Sequence, residues 1–156
     1  MNESEEVQGK SRVLPPVYCL VAFILMVGLH LLLPVVQIIG SPLRYSGLLV
    51  MVASLALLLW AAGLFGKAGT TRKPFRESSA LVLEGPYRFT RNPMYVGLAG
   101  GLLAVAVLLG SVAPFVVLPV LVALIDSRFI RAEEAMLEKR FGDSYRAYKG
   151  RVRRWL

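Results

Sequence analysis

Two tyrosines, two arginines and an asparagine fall within nine residues of the stretch GPYRFTRNPMYVG, Gly85 to Gly97. Further along, two adjacent carboxylates, Glu133 and Glu134, stand in DSRFIRAEEAMLEKRFG. The first stretch offers donors and rings. Asn92 is a favoured helix N-cap and Pro93 suits the first helical position, so a helix starts here with its free amides and positive dipole end directed at any carboxylate or phosphate nearby. Gly97, Gly100 and Gly101 follow, so another helix or a ligand can approach this backbone closely. The second stretch offers acceptors. Glu133 lies four residues after Phe129 and three before Met136, and Glu134 four after Ile130 and three before Leu137, which sets both carboxylates at the border of an apolar helical face.

Each cluster also has a plainer explanation. Capping alone accounts for Asn92 and Pro93, and interfacial anchoring covers part of the set formed by Tyr87, Arg88, Arg91 and Tyr95. Helix-spaced ion pairs with Arg128, Arg131 or Arg140 would occupy the two glutamates, the alternative partner being a ligand that carries donors. Taken together, the clusters describe an interfacial pocket with an anion-favouring helix start, aromatic rings, two carboxylates and access to lipid. A zwitterionic, partly aromatic cofactor fits such a pocket. With one His and one Cys there is no metal-ligand set, and neither a Walker loop nor a Ser/His/Asp group is present.

The elements that must position these residues are membrane helices. Of the 156 residues, 56% are hydrophobic, and mean hydropathy is +0.60. Apolar segments at about 16–39, 46–65, 93–109 and 112–128 approach the ~20 residues a span requires. Gly110 and Ser111 leave room only for a tight turn, so the last two spans form a hairpin. The expected fold is therefore all-α, a polytopic membrane bundle of about four helices followed by an amphipathic helix over about 130–149. Ile130, Leu137, Phe141, Tyr145, Tyr148 and Val152 line one face of that last helix, with Gly142 as its interruption. Its basic residues, Arg146, Lys149, Arg151, Arg153 and Arg154, are expected on lipid headgroups.

Seventeen of the 18 Lys and Arg fall on one set of alternating sides, which orients both termini and the loop between the second and third spans to the cytoplasm. That placement accounts for the net charge of +8 without nucleic acid as a partner. Residues 1–14 are polar and acidic and read as a disordered tail, leaving 15–156 as a single integral-membrane domain. The expected location is multi-pass in a bacterial inner membrane. Cys19 lies in an apolar run and reads as inert, Pro34 should kink the first span, and His30 one turn earlier needs a polar neighbour.

At LVLEGPYRFTRNPMY, and again at EEAMLEKRFGDSYRAYKGRV after a span pair, the chain resembles the isoprenylcysteine carboxyl methyltransferases and their relatives, the membrane phospholipid methyltransferases. The resemblance runs from about residue 66 to 152. It implies S-adenosylmethionine as cofactor and a lipophilic acceptor, a prenylcysteine-like carboxylate or a lipid amine, entering from a bilayer whose lipids surround the chain. By the same resemblance Ala80, Leu81, Val82 and Tyr87 line the cofactor site, Asn92, Pro93, Met94 and Tyr95 contact the cofactor, and Glu133, with Glu134 beside it, binds it. Arg91 and Arg128 are expected at the substrate, and Tyr95 or Glu134 would take a proton from an amine acceptor. Two departures bear on that acceptor: Asn92 stands where a histidine is usual, and Phe129 where some relatives place an arginine. Alternatives remain in a steroid-reductase-like enzyme using NADPH and in a non-enzymatic membrane scaffold. No oligomeric state follows from the sequence.

Overall fold

The computed structural model describes residues 14–33, 36–67 and 81–156. Helix α1 spans Pro15–Leu32, with a proline in its first turn. It ends where the next residue, Leu33, turns extended (φ −102°, ψ 134°), the conformation favoured ahead of a proline. The first helix is thus shorter than the expected 16–39 segment, and the kink expected at Pro34 lies outside the described residues. After a 3₁₀ turn at Leu43–Tyr45, α2 runs over Ser46–Lys67.

Helix α3, Pro93–Leu109, ends at Gly110, and Ser111 turns the chain directly into α4, Val112–Ile125. The expected hairpin is therefore present. A π-helical turn at Asp126–Ile130 joins α4 to α5, Arg131–Phe141, and α6 covers Asp143–Arg151. Gly142 separates α5 from α6 at φ 52°, a conformation that favours glycine, so the expected 130–149 helix is two helices.

Among the described residues, three segments are long and apolar enough to cross a membrane: Pro15–Leu32, Leu43–Leu64 and Val112–Phe141. The fourth expected span, Pro93–Leu109, has 17 residues and stands at the short end of the spanning range. Large apolar side chains face outward on α1, α2 and α4, among them Leu20, Ile24, Leu49, Val52, Val116 and Val120, as a lipid-embedded protein requires. The 30-residue run Val112–Phe141 would reach ~45 Å, more than a ~30 Å hydrocarbon core, and its ionic side chains begin at Asp126. Helix α5 consequently projects beyond the hydrocarbon.

Helix α2 packs most extensively on α3, and α1 lies on α4. Close approach of the first pair depends on small residues. A Cβ at Gly97 would stand 3.0 Å from both the Ser54 carbonyl oxygen and the Leu58 Cβ. The core between α1, α3 and α4 contains Ala22, Met26, Leu102, Ala106, Leu121 and Ile125, and it extends into the π turn through Phe129 and Ile130. At the end of the bundle where α3 meets α4, His30 Nδ1 lies 2.7 Å from the buried Ser111 Oγ, and Gly110 O accepts from the Ile38 and Ile39 amides. His30 therefore has its polar neighbour in the hairpin turn.

Candidate functional site

Both clusters picked out in the sequence lie at the other end of the bundle, where α3 begins and α5 follows the π turn. Gly85–Arg88 form a 3₁₀ turn with Pro86 and Tyr87 buried, and the chain then enters α3 at Pro93. Tyr95, in the first turn of α3, is buried and donates its hydroxyl to Glu133 Oε1 at 2.7 Å. Burial pushes the Glu133 carboxyl up to about 7, against the opposing pull of that hydrogen bond.

Glu134 is held differently. Its side chain is 6% exposed and is gripped by two arginines from distant parts of the chain. Arg154 donates from Nε to Oε1 at 3.1 Å and from Nη2 to Oε2 at 2.8 Å, a bidentate pair, while Arg91 Nη1 lies 3.2 Å from Oε1. Both of these arginines come from outside the helix that carries Glu134. The i→i+5 bond of the π turn, from the Arg131 amide to the Asp126 carbonyl, shifts Glu134 relative to Arg128 upstream, and the Arg131 guanidinium turns back to Asp126 Oδ2 at 3.0 Å. Arg128 is exposed on that same turn.

Arg91 is the other unusual group. Its side chain is 10% exposed, yet its buried Nε has no hydrogen-bond partner among the described residues, and its Nη1 has the ion pair to Glu134. A guanidinium with a buried Nε donor unused has capacity for an oxyanion in addition to Glu134. Tyr145 borders it. Burial pushes the Tyr145 hydroxyl up to about 12, the Arg91 charge opposing, and burial likewise raises Tyr87 and Tyr148, so all three rings stay neutral at ordinary pH.

The wall is closed by the chain after α6. Arg153 pairs with Thr90 in an isolated parallel bridge, and its carbonyl accepts from the Arg91 amide at 2.9 Å. The Arg154 carbonyl accepts from Thr90 Oγ1 at 3.1 Å and from Asn92 Nδ2 at 3.0 Å. Asn92 thus occupies the N-cap position, its carbonyl accepting from the Val96 amide, but its side chain makes no cap hydrogen bond and instead clamps this segment. Tyr148 donates to the Tyr87 carbonyl at 2.7 Å, and the Trp155 indole N–H to Asp126 Oδ1 at 3.3 Å.

The structure therefore brings together Tyr95 with Glu133, and Arg91 with Glu134, and it sets Tyr87 and Asn92 against the C-terminal segment. Pro93 is buried at the helix start, while Met94, Leu81 and Val82 are half-buried. Ala80 lies outside the described residues. Sequence reasoning missed Arg154, placed there on headgroups, and missed Tyr145 and Tyr148 as lining. The Tyr-x-x-Tyr spacing on an apolar face, followed by Trp155, was the available signal.

Only about two-thirds of the chain takes part in the comparison that carries most weight: a family model described as phospholipid methyltransferase matches residues 43–144. Over 63 residues, 40% of this chain and the whole of the other, the sequence is 41% identical to an uncharacterised protein of Haemophilus influenzae. No solved structure matches.

Proposed function

The chain belongs to the phospholipid methyltransferase family, and from that premise we propose that it is an S-adenosylmethionine-dependent enzyme methylating a lipophilic acceptor at the cytoplasmic face of the membrane. Residues 15–156 act as one methyltransferase unit in this reading. The family membership favours it over the reductase and scaffold alternatives.

The observation that carries the cofactor assignment is the pair formed by Arg91 and Glu133. An amino-acid zwitterion needs donors for its carboxylate and an acceptor for its ammonium. Arg91 has a buried Nε donor with no hydrogen-bond partner beside its ion pair to Glu134, and Glu133 has a carboxylate oriented by the Tyr95 hydroxyl. The residues present fit the group. Leu81, Val82, Tyr87 and Met94 supply apolar and aromatic surface nearby, and Pro93 and Asn92 shape the helix start. When bound, S-adenosylmethionine supplies a methyl group already activated by its sulfonium charge.

What remains for the protein is binding, alignment and exclusion of water. Arg91 and Glu133 fix the two charged ends of the amino-acid moiety. Glu134, saturated by Arg91 and Arg154, is assigned to holding Arg91 in place rather than to proton transfer. Tyr95 orients Glu133 and keeps its own proton in doing so. Arg128, exposed where the helix leaves the hydrocarbon, is assigned to an anionic part of the acceptor. A carboxylate acceptor then needs no base, whereas a lipid amine must arrive neutral or lose its proton at the site.

The test is to incubate purified protein with S-adenosylmethionine labelled in its methyl group and fractionated membrane lipids. Label entering a lipid or prenyl fraction supports the reading. Label entering none, from protein that remains folded, counts against it.

A further inference from the structure

One apolar groove lies beside the charged site rather than within it. Val96, Ala99 and Leu103 of α3 and Leu118 and Val122 of α4 line about 370 Å³, and Trp155 with its neighbour Leu156 forms the remaining wall. The groove occupies the early turns of α3 and the late turns of α4, the same end of the bundle as Tyr95 and Glu133.

Three observations identify its occupant. The groove opens between two apolar helices whose outer faces carry exposed Leu103 on α3 and Val116, Val120 and Leu124 on α4, so the medium at its mouth is hydrocarbon. Its lining is aliphatic apart from the Trp155 ring, and the single polar atom of that ring is turned to Asp126 Oδ1 at 3.3 Å, outside the apolar surface. Trp155 also follows Arg154, whose guanidinium holds Glu134. A chain lying in the groove therefore has its polar end at the charge cluster.

The geometry points to this groove as the seat of one hydrocarbon chain of the methyl acceptor, with Trp155 as the wall that sets where the chain stops. This rests on the methyltransferase reading for the word acceptor, while the lipid site itself rests on the groove. The segment that clamps Thr90 and Asn92 thus serves two surfaces at once: Arg154 faces the charged site and Trp155 the lipid. Side chains at position 155 should accordingly govern which chain lengths are accepted.

The test uses the fluorescence of Trp155 in detergent, in a Trp60→Phe background that leaves it the sole tryptophan of the chain. The probe is a single-chain phospholipid carrying two bromines in its stearoyl chain. Quenching should saturate, should be reversed by the same lipid without bromine, and should lose its saturable part by at least tenfold in Ala99→Leu, which fills the groove. Quenching that rises linearly without saturation, or that the unbrominated lipid does not reverse, overturns the proposal without reliance on any variant. So does saturable quenching unchanged by Ala99→Leu. Titrating S-adenosylmethionine into the same samples keeps the two readings apart. Cofactor binding without saturable quenching removes the groove alone, and saturable quenching without cofactor binding removes the assignment of the lipid as acceptor.

Discussion

Tyr95 and Glu133 are joined by a 2.7 Å hydrogen bond from the phenol to Oε1, which ties the first turn of α3 to the first turn of α5. The bond crosses from a membrane helix to one that projects beyond the hydrocarbon, and it is the influence that holds the Glu133 carboxyl down against burial. Tyr95→Phe removes it. Glu133 should then titrate above 7, and because an ammonium requires the ionised carboxylate, affinity for S-adenosylmethionine at pH 7 should fall severalfold and recover as pH rises. The pH dependence of Kd for wild type and variant checks this; superimposable profiles would detach Tyr95 from Glu133.

The same carboxyl makes stability depend on pH. Glu133 has a folded value of about 7 against an ordinary value of 4.5, so between these the folded chain holds more protons than the unfolded one. The contribution is fully present below 4.5 and is lost as pH rises through 7. Thermal unfolding in detergent without cofactor should therefore show Tm declining across that window, and Glu133→Gln should flatten the decline. An unchanged slope in Glu133→Gln would assign it to other groups.

Asn92 permits a test by charge alone. Were its side chain a helix cap, Asn92→Asp would be neutral or stabilising, because aspartate caps as well and favours the positive helix end. Its Nδ2 instead donates to the Arg154 carbonyl at 3.0 Å. Asn92→Asp replaces that donor with an acceptor facing a carbonyl, so it should destabilise by about 1–3 kcal/mol. Chemical or thermal unfolding of the variant decides between the two geometries.

Glu134 pairs with Arg91 and Arg154, and the first is the better buried: Arg91 is 10% exposed and Arg154 32%. Loss of either leaves a buried carboxylate short of compensation, with a cost on the order of 3 kcal/mol for the better-buried partner and less for Arg154. Arg154→Leu and Glu134→Gln should each lower Tm, and the double variant should lose less than the sum, as members of one network do. Strict additivity would show that Arg154 and Glu134 do not interact.

The helices and their order were legible because hydropathy and tight-turn residues are local signals, and Pro93 and Gly110 bound α3 as their backbone preferences require. Pairing of the two clusters was legible from their complementary chemistry and from the family resemblance, since nothing local links position 95 to position 133. Two features escaped for physical reasons. The π turn inserts a register shift that a regular 100° helix step does not contain, so the relation of Arg128 to Glu134 differs from the one their spacing implied. Arg154, in a basic amphipathic tail, has the composition of a headgroup anchor. Its inward turn depends on the backbone bridge between Arg153 and Thr90, a contact between distant segments that leaves no periodic trace.

Whether Arg91 and Glu133 hold the two charged ends of S-adenosylmethionine is decided by calorimetric titration of that cofactor into the purified protein in detergent. Saturable binding is expected at one site per chain, weakened at least tenfold in both Arg91→Leu and Glu133→Ala, with Arg128→Ala close to wild type. Absence of binding to the folded wild-type protein, or wild-type affinity in both of the first two variants, would contradict it.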